Sequence, residues 1–198
     1  PRSSFGAFEW SINEITDNVL THSESPIGGL VQVSTFQRNK KIVQFIVADP
    51  GVGIPKTLRE THPQFTSDTD ALDKAIREGI TRDESIGQGN GLFGSYQICT
   101  HCHGKFQVIS GHAKLISDKK HGLKISNEKI PFNGTLIVAE IDFSNANLLG
   151  EALKFGGETY TPVDYVEAHY ENDDDKVVFV MRDEAQSFGT RPAGTPVR

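Results

Sequence analysis

The stretch Asp49-Pro50-Gly51-Val52-Gly53-Ile54 decides how this sequence is interpreted. It follows residues 41–48, whose apolar character predicts a buried strand, and its proline and glycines exclude a regular element. An acid directly after a buried strand can accept a hydrogen bond from the exocyclic amine of a base, and the two glycines let the backbone approach that base closely. The alternative is a plain tight turn, since Asp-Pro-Gly is turn chemistry in any case.

Upstream of this stretch the sequence predicts an amphipathic helix. Its apolar stripe has steps of four, three and four residues and consists of Phe8, Ile12, Ile15 and Val19. A second stripe holds Glu14, Asn18 and His22. The Asn18 carboxamide oxygen suits Mg²⁺, and Glu14 could accept a proton from a water or hydroxyl that attacks a γ-phosphate. A solvated polar face is the alternative interpretation.

Downstream lies the glycine-rich segment Gly87-Gln88-Gly89-Asn90-Gly91-Leu92, which precedes a predicted helix over residues 92–101. Alternating glycines expose successive N–H groups, and the start of the helix adds partial positive charge, so the segment predicts a phosphate cradle. An ordinary linker is the alternative. No Gly-Lys-Ser/Thr follows, which excludes a Walker loop, and the context is not that of a Rossmann fingerprint.

Taken together, segments 13–22, 49–54 and 87–92 resemble the N, G1 and G2 boxes of the GHKL superfamily. That superfamily comprises gyrase, heat-shock chaperone, histidine-kinase and mismatch-repair ATPases, which share the Bergerat fold. The segment His103-Gly104-Lys105-Phe106 resembles the turn after the G2 helix, and Gly134-Thr135 resembles the opening of the last core strand. The resemblance covers roughly residues 5 to 143.

The resemblance implies a two-layer α/β sandwich with a mixed, mostly antiparallel sheet covered on one face by helices, and ATP and Mg²⁺ as cofactors. It makes Asn18 the Mg²⁺ ligand, Asp49 the residue that recognises adenine, and Glu14 the catalytic residue. The remaining cofactor-binding residues that it implies are Gly51, Gly53, Gly87, Gly89, Asn90, Gly91, Leu92 and Thr135. Pro50 departs from the family pattern, because proline removes a backbone donor where a polar residue is common.

Several functions are compatible with this resemblance. The first is a Mg²⁺-dependent ATP-binding domain that hydrolyses ATP as a switch in a regulatory protein. The alternative is a protein kinase, either a serine kinase of the anti-sigma type or a histidine kinase catalytic domain, and His22, four residues after Asn18, resembles both. Binding without turnover is also open. A regulatory protein partner or adjoining domain, and an ATP-linked homodimer, are expected.

The rest of the sequence predicts one helix within the loop-rich residues 55–85, with Asp70 as N-cap and Gly79 as C-cap. Further strands are predicted over residues 30–36, 105–110, 113–117, 123–126, 134–143 and 176–181. We expect an ATP-binding domain over residues 1–150 and a C-terminal extension over 151–198. Residues 187–192 of the extension resemble the entry to a STAS-like domain.

Composition narrows the functional classes further. The 198 residues are 36% hydrophobic and carry a formal net charge of -6, typical of a soluble domain without a nucleic-acid or membrane signal. Two cysteines and no visible signal peptide predict a cytoplasmic location. Cys99-x-x-Cys102-His103 matches a c-type haem attachment signature, so a haem- or zinc-binding module is a remote alternative to a buried helix end.

Overall fold

The computed structural model describes residues 3–36, 41–77, 91–145, 148, 151–152, 154–155, 158–159 and 178–182. Within these residues the longer elements are, in chain order, α1 (Ser3–His22), β1 (Leu30–Phe36), β2 (Ile42–Asp49), α2 (Ile54–Thr61), α3 (Asp68–Ala75), α4 (Gly91–His101), β3 (Lys105–Asp118) and β4 (Gly122–Asp142). They are followed by the short strands β5 (Lys154–Phe155), β6 (Glu158–Thr159) and β7 (Val178–Arg182).

In the described part of the chain, the main sheet has the strand order β3-β4-β2-β1-β7. The pairs β3–β4, β4–β2 and β2–β1 are antiparallel, whereas β7 runs parallel to β1. The predicted mixed, mostly antiparallel sheet is therefore confirmed. Strands β5 and β6 form a separate antiparallel pair. The register of β2 with β4 places Asp49 opposite Thr135, which fixes the end of the sheet where the predicted site lies.

The core lies between the helices and one face of this sheet. Phe45 and Val47 of β2 are buried, while Ile46 between them is half-buried. The predicted apolar stripe of α1 faces this core, because Ile15 and Val19 are buried and Phe8 packs edge-on against Phe45 at 5.7 Å between ring centroids. The chain is thus a two-layer α/β sandwich, as predicted.

The prediction of a single helix within residues 55–85 was wrong, because α2 precedes α3. Pro55 lies in the first turn of α2, where its fixed φ suits a helix and its missing N–H costs no hydrogen bond. The Thr57 hydroxyl donates to the Gly53 carbonyl at 2.9 Å and closes the first turn. A proline near a helix start was the sequence signal for this element, and the polar residues around it concealed it.

The predicted N-cap of α3 was also wrong. Ser67, not Asp70, holds that position, with an extended backbone and a side chain that accepts the Asp70 N–H at 3.0 Å. Asp70 is within the first turn instead, where a negative charge favours the positive end of the helix. The predicted C-cap Gly79 lies outside the described residues.

Two pairs of predicted strands are in fact two long strands. Residues 105–110 and 113–117 belong to β3, which continues through irregularities between Ser110, Gly111 and Ala113. The predicted strands 123–126 and 134–143 both fall on β4, which continues through the polar residues between them and ends at Asp142, one residue earlier than predicted. A glycine inside a strand often marks such a bulge, so Gly111 carried the signal.

The C-terminal part of the chain contributes β7 to the edge of the main sheet, next to β1. Its bounds, Val178–Arg182, lie close to the predicted residues 176–181. The division of the chain at residue 150 stays a prediction, and residues 187–192 lie outside the described residues. Among the described helices, none combines the length and apolar character needed to cross a membrane.

Candidate functional site

Asp49 ends β2 and is nearly buried, with 6% of its surface exposed. Its Oδ1 accepts the backbone N–H of Gly51 at 2.8 Å, which fixes the carboxylate over the turn that follows. Burial raises the pKa of Asp49, and hydrogen bonds from the N–H groups of Gly51 and Thr135 offset only part of this rise. The structure therefore holds a buried acceptor at the strand end.

The two glycines of this turn are required by close contacts. A Cβ at Gly51 would collide with the carbonyl oxygen of Ser23, just beyond α1. Gly53 has a φ of 79°, a conformation that side chains rarely adopt, and a Cβ there would lie 2.8 Å from Oγ of Ser110. Val52 donates its N–H to Ser23 at 2.8 Å. These contacts bring the Asp49 turn against the end of α1.

Thr135 lies beside Asp49 on the neighbouring strand β4 and is 8% exposed. Paired residues of antiparallel strands share a face of the sheet, so both side chains are on the core face at this end. The preceding Gly134 has a φ of 104°, and a Cβ there would collide with the Asp49 backbone carbonyl. The structure thus brings Asp49, Gly51, Gly53 and Thr135 together.

Glu14 approaches the first residue of α4. A Cβ added to Gly91 would lie 2.5 Å from Oε2 of Glu14, so a bare glycine makes room for the carboxylate. The close packing of the two helices explains this contact, because Gly94 leaves space for the ring of Trp10. Burial raises the pKa of Glu14, and the charge of Asp17 raises it further. A carboxylate with a raised pKa is a better proton acceptor.

Asn18 is half-buried and lies one helical turn after Glu14, so both residues are on the same side of α1. The end of α1 is close to the end of β2, because a Cβ at Gly29 would lie 2.8 Å from Val19 and 3.0 Å from the Ala48 carbonyl oxygen. Asn18 therefore lies on the helix that connects the Glu14 contact with the Asp49 turn. An amide oxygen and nearby carboxylate oxygens are donors that Mg²⁺ prefers.

The predicted phosphate cradle is only partly within the described residues. Gly87, Gly89 and Asn90 lie outside them. Gly91 begins α4, and Leu92 is half-buried and packs against the core. The structure thus describes the helix start that follows the glycine-rich segment, with Glu14 beside it.

A cavity of about 330 Å³ lies beside the Asp49 turn. It is lined by Gly51, Val52, Pro55, Lys56, Arg59, Asp68, Gly111, Phe132, Asn133 and Gly134. Arg59 and Asp68 form an ion pair at 2.6 Å across its wall. The Asp49 turn therefore borders this cavity in addition to contacting the end of α1.

Sequence reasoning missed Ser23 and Ser110. Ser23 accepts the Val52 N–H, and Ser110 accepts the Ile54 N–H at 2.9 Å, so each fixes one side of the Asp49 turn. Ser110 stands before the strand glycine Gly111, which was the available signal for a bulge near the site. Nothing in the spacing of Ser23 indicated its role.

The Cys-x-x-Cys-His segment does not form a metal site in the structure. Cys99 and Cys102 are buried, and burial raises the pKa of both thiols, that of Cys102 to about 12. His103 is exposed and follows the helix end with a φ of 56°. Across the described ranges, no three His, Cys, Asp or Glu side chains are grouped as metal ligands. The segment is a buried helix end.

A family model described as "Histidine kinase-, DNA gyrase B-, and HSP90-like ATPase" matches residues 8–145, more than half of the chain. No curated protein matches the sequence. Among solved structures 192 chains match.

One of these is the histidine kinase domain of the blue-light activated histidine kinase from Erythrobacter litoralis EL346. It is 16% identical, with a TM-score of 0.38, and the match covers 75% of the present chain and 49% of that one. The present chain therefore spans about half the length of the kinase chain that it matches.

Proposed function

The chain belongs to the histidine kinase-, DNA gyrase B- and HSP90-like ATPase family, and on that premise we propose that it is a Mg²⁺-dependent ATP-binding domain that hydrolyses ATP as a switch in a regulatory protein. The observation that carries this proposal is the buried Asp49 carboxylate, fixed by the Gly51 N–H at 2.8 Å beside Thr135. A buried carboxylate oxygen is an acceptor for the amine of adenine. Because Gly51 and Gly53 have no side chains, the backbone of the turn lies next to that acceptor.

The start of α4 supports a role in binding the triphosphate. Its first N–H groups have no partner within the helix and carry partial positive charge, which favours phosphate. The family resemblance implies that the preceding segment also binds phosphate, through Gly87, Gly89, Asn90 and Gly91. The proposal therefore assigns the phosphates to the region between α1 and the start of α4.

Asn18 is the proposed Mg²⁺ ligand. Its donor chemistry fits, because Mg²⁺ prefers oxygen ligands and is usually held by few protein groups together with waters and phosphates. When bound, the ion neutralises charge that develops on the phosphate oxygens. On the protein side, Asn18 holds its carboxamide on a rigid helix, one turn from Glu14.

Glu14 is the proposed general base. Its raised pKa and its contact with the start of α4 support removal of a proton from the water that attacks the γ-phosphate. The water oxygen bonds to phosphorus, the bond from phosphorus to the bridging oxygen breaks, and ADP leaves with that electron pair. Transfer to a protein serine or histidine, the alternative function, requires the same proton removal from a different acceptor.

The binding test is calorimetric titration with ATP and Mg²⁺. Asp49→Asn should weaken ATP binding about tenfold or more, because a hydrogen bond to a charged group is lost. Asp73→Asn is the matched control, since Asp73 of α3 pairs with Arg77, just after that helix and outside the proposed site. Equal affinity of the Asp49→Asn variant and the unchanged chain would contradict the pocket assignment.

The turnover test uses ATP labelled at the γ-phosphate. Glu14→Gln should lower phosphate release about 10²- to 10⁴-fold while ATP still binds, and Glu9→Gln, an exposed change on the same helix, should not. Label that stays on protein instead of appearing as free phosphate would favour the kinase alternative. Normal turnover of Glu14→Gln would remove Glu14 from the mechanism.

The proposed partners follow from the family resemblance. We propose that a regulatory protein or an adjoining domain uses the nucleotide state. An ATP-linked homodimer is the other expectation. Light scattering with and without a non-hydrolysable ATP analogue distinguishes them, because only the homodimer doubles the mass of the isolated chain.

A further inference from the structure

Ser110 is a fully buried residue at the irregular part of β3, and it contacts three groups around the proposed adenine pocket. Its Oγ accepts the N–H of Ile54 at 2.9 Å and donates to the carbonyl oxygen of Gly134 at 2.7 Å. The same oxygen lies 3.3 Å from Oγ1 of Thr135. One hydroxyl therefore joins the start of α2 to the β4 residues beside Asp49.

The hydrogen-bonding capacity of Ser110 fixes the direction of these contacts. A serine hydroxyl has one proton and two acceptor sites. A carbonyl oxygen can only accept, so the Ser110 proton points to Gly134. The contact with Thr135 then requires the Thr135 hydroxyl to be the donor. With its own proton used in this way, the Thr135 oxygen keeps its lone pairs for another partner.

Thr135 and Asp49 are paired across β2 and β4, so their side chains share one face of the sheet. An ionised Asp49 is also an acceptor without a proton to donate. The pocket thus presents two neighbouring acceptors. Such a pair complements a group with two N–H donors and repels a carbonyl oxygen.

We infer that Ser110 is a positioning residue for base selection: it holds the Thr135 hydroxyl as an acceptor beside Asp49, so that the pocket prefers a purine with an exocyclic amine to one with a carbonyl at that position. This inference rests on the proposed function. Ser110 acts through Thr135 and through the position of the Gly53–Ile54 backbone, without touching the base.

The test measures dissociation constants of the full chain for ATP and for inosine triphosphate, which carries a carbonyl in place of the amine. Ser110→Ala should weaken ATP binding about tenfold and weaken inosine triphosphate binding much less, so that the ratio of the two constants falls. Ser117→Ala, a buried serine farther along β3, is the control and should leave the ratio unchanged.

If Ser110 had only a structural role, Ser110→Ala would weaken the binding of both nucleotides equally. An equal loss of affinity, which leaves the ratio of the two dissociation constants unchanged, would therefore overturn the inference while leaving the proposed function intact. If Ser110→Ala does not fold, Ser110→Cys decides in its place, because a thiol is similar in size but a weak donor and acceptor. If the unchanged chain binds neither nucleotide, the proposed function fails and this inference fails with it.

Discussion

At Gly91, the lack of a side chain determines where the Glu14 carboxylate can lie. The first residue of α4 allows Oε2 of Glu14 into a position that a Cβ would approach to 2.5 Å, closer than real Cβ atoms come. The φ of Gly91 is not in the left-handed region, so alanine there is strained only by this contact. Gly91 is thus required because a Cβ would lie too close to Glu14. Gly53 is required both because a Cβ would lie too close to Ser110 and because its φ is positive.

The first prediction concerns this contact. Gly91→Ala should lower ATP turnover about 10- to 100-fold by displacing the Glu14 carboxylate, with a much smaller effect on ATP affinity. Steady-state phosphate release and calorimetry measure the two effects. In the Glu14→Gln background the same substitution should cost little more turnover. A full additional loss there would show that Gly91 acts through something other than Glu14.

The second prediction is a gain in stability from loss of the proposed base. Burial raises the pKa of Glu14 above its ordinary value of 4.5, so the folded state binds a proton more tightly than the unfolded state. Between these two pKa values the folded protein loses stability as pH rises. Glu14→Gln should therefore melt at a higher temperature than the unchanged chain at neutral pH.

The same reasoning gives a pH dependence. The difference in melting temperature between Glu14→Gln and the unchanged chain should shrink as pH falls through the raised pKa of Glu14 toward 4.5. The Glu14 side chain of the unchanged chain is then neutral as well. Melting curves across this pH window measure the difference. A constant difference between the two proteins at all pH values would contradict the buried position of Glu14.

Residue types alone predicted a turn at Asp49, because the proline and glycines after the buried strand exclude a regular element. They did not predict Ser110, whose partners Ile54 and Gly134 are far from it in the chain. Serine is common, and its role depends on a three-dimensional contact that leaves no local pattern. The same holds for Ser23.

At the scale of the element, substitutions can test whether Ser67 is the N-cap of α3. Ser67→Ala should lower the free energy of unfolding by about 1 kcal/mol, because the Asp70 N–H loses its side-chain acceptor. Asp70→Ala should cost less, since Asp70 supplies charge to the first turn and not the cap. Urea denaturation of both variants provides the comparison. The reverse order would restore Asp70 as the cap.

Asp68, in the first turn of α3, connects three elements. Its Oδ1 accepts from Arg59 on α2 at 2.6 Å, and its Oδ2 accepts the backbone N–H of His112 on β3 at 2.7 Å. Burial raises the pKa of Asp68, but the bonds from His112 and Arg59 outweigh it, so the pKa is lowered from 3.8. The side chain links α2 and α3 to the irregular part of β3.

The fourth prediction follows from this linkage. Asp68→Asn should lower the free energy of unfolding at neutral pH by about 1 kcal/mol, mostly through the His112 bond, because the Arg59 pair is partly exposed and screened. A lowered pKa gives stability above 3.8 that is lost as pH falls through the folded-state value, so the difference should narrow in acid. Asp73→Asn, which affects only the partly exposed ion pairs of Asp73 with Arg77 and Lys74, is the control. Equal effects of the two variants would contradict the linkage.

Periodicity predicted α1 and the middle strands because each has a strong local pattern. It missed α2, which has only eight residues and is mostly polar. It divided β3 and β4, because glycine and proline inside them are signals that normally end a strand. The pairing of β4 with β3 overrides these local signals, and pairing partners are not contained in a short window of sequence.

At the scale of the whole molecule, the fold brings together three segments that are far apart in the chain. Ser23, the residue that follows α1, contacts the Asp49 turn, and Glu14 of α1 contacts the start of α4. The family resemblance predicted this convergence from the order of the three segments. It gave no indication that β7 would pair with β1, because a parallel pairing over such a distance in sequence has no local signature.

The most direct test of the account is a crystal structure of the chain with Mg²⁺ and a non-hydrolysable ATP analogue. We predict that the base amine lies within hydrogen-bonding distance of Asp49, that the metal ion is bound by Asn18, and that the phosphates lie at the start of α4 near Gly91. An analogue bound elsewhere, with Asp49, Asn18 and Gly91 around an empty cleft, would contradict the account.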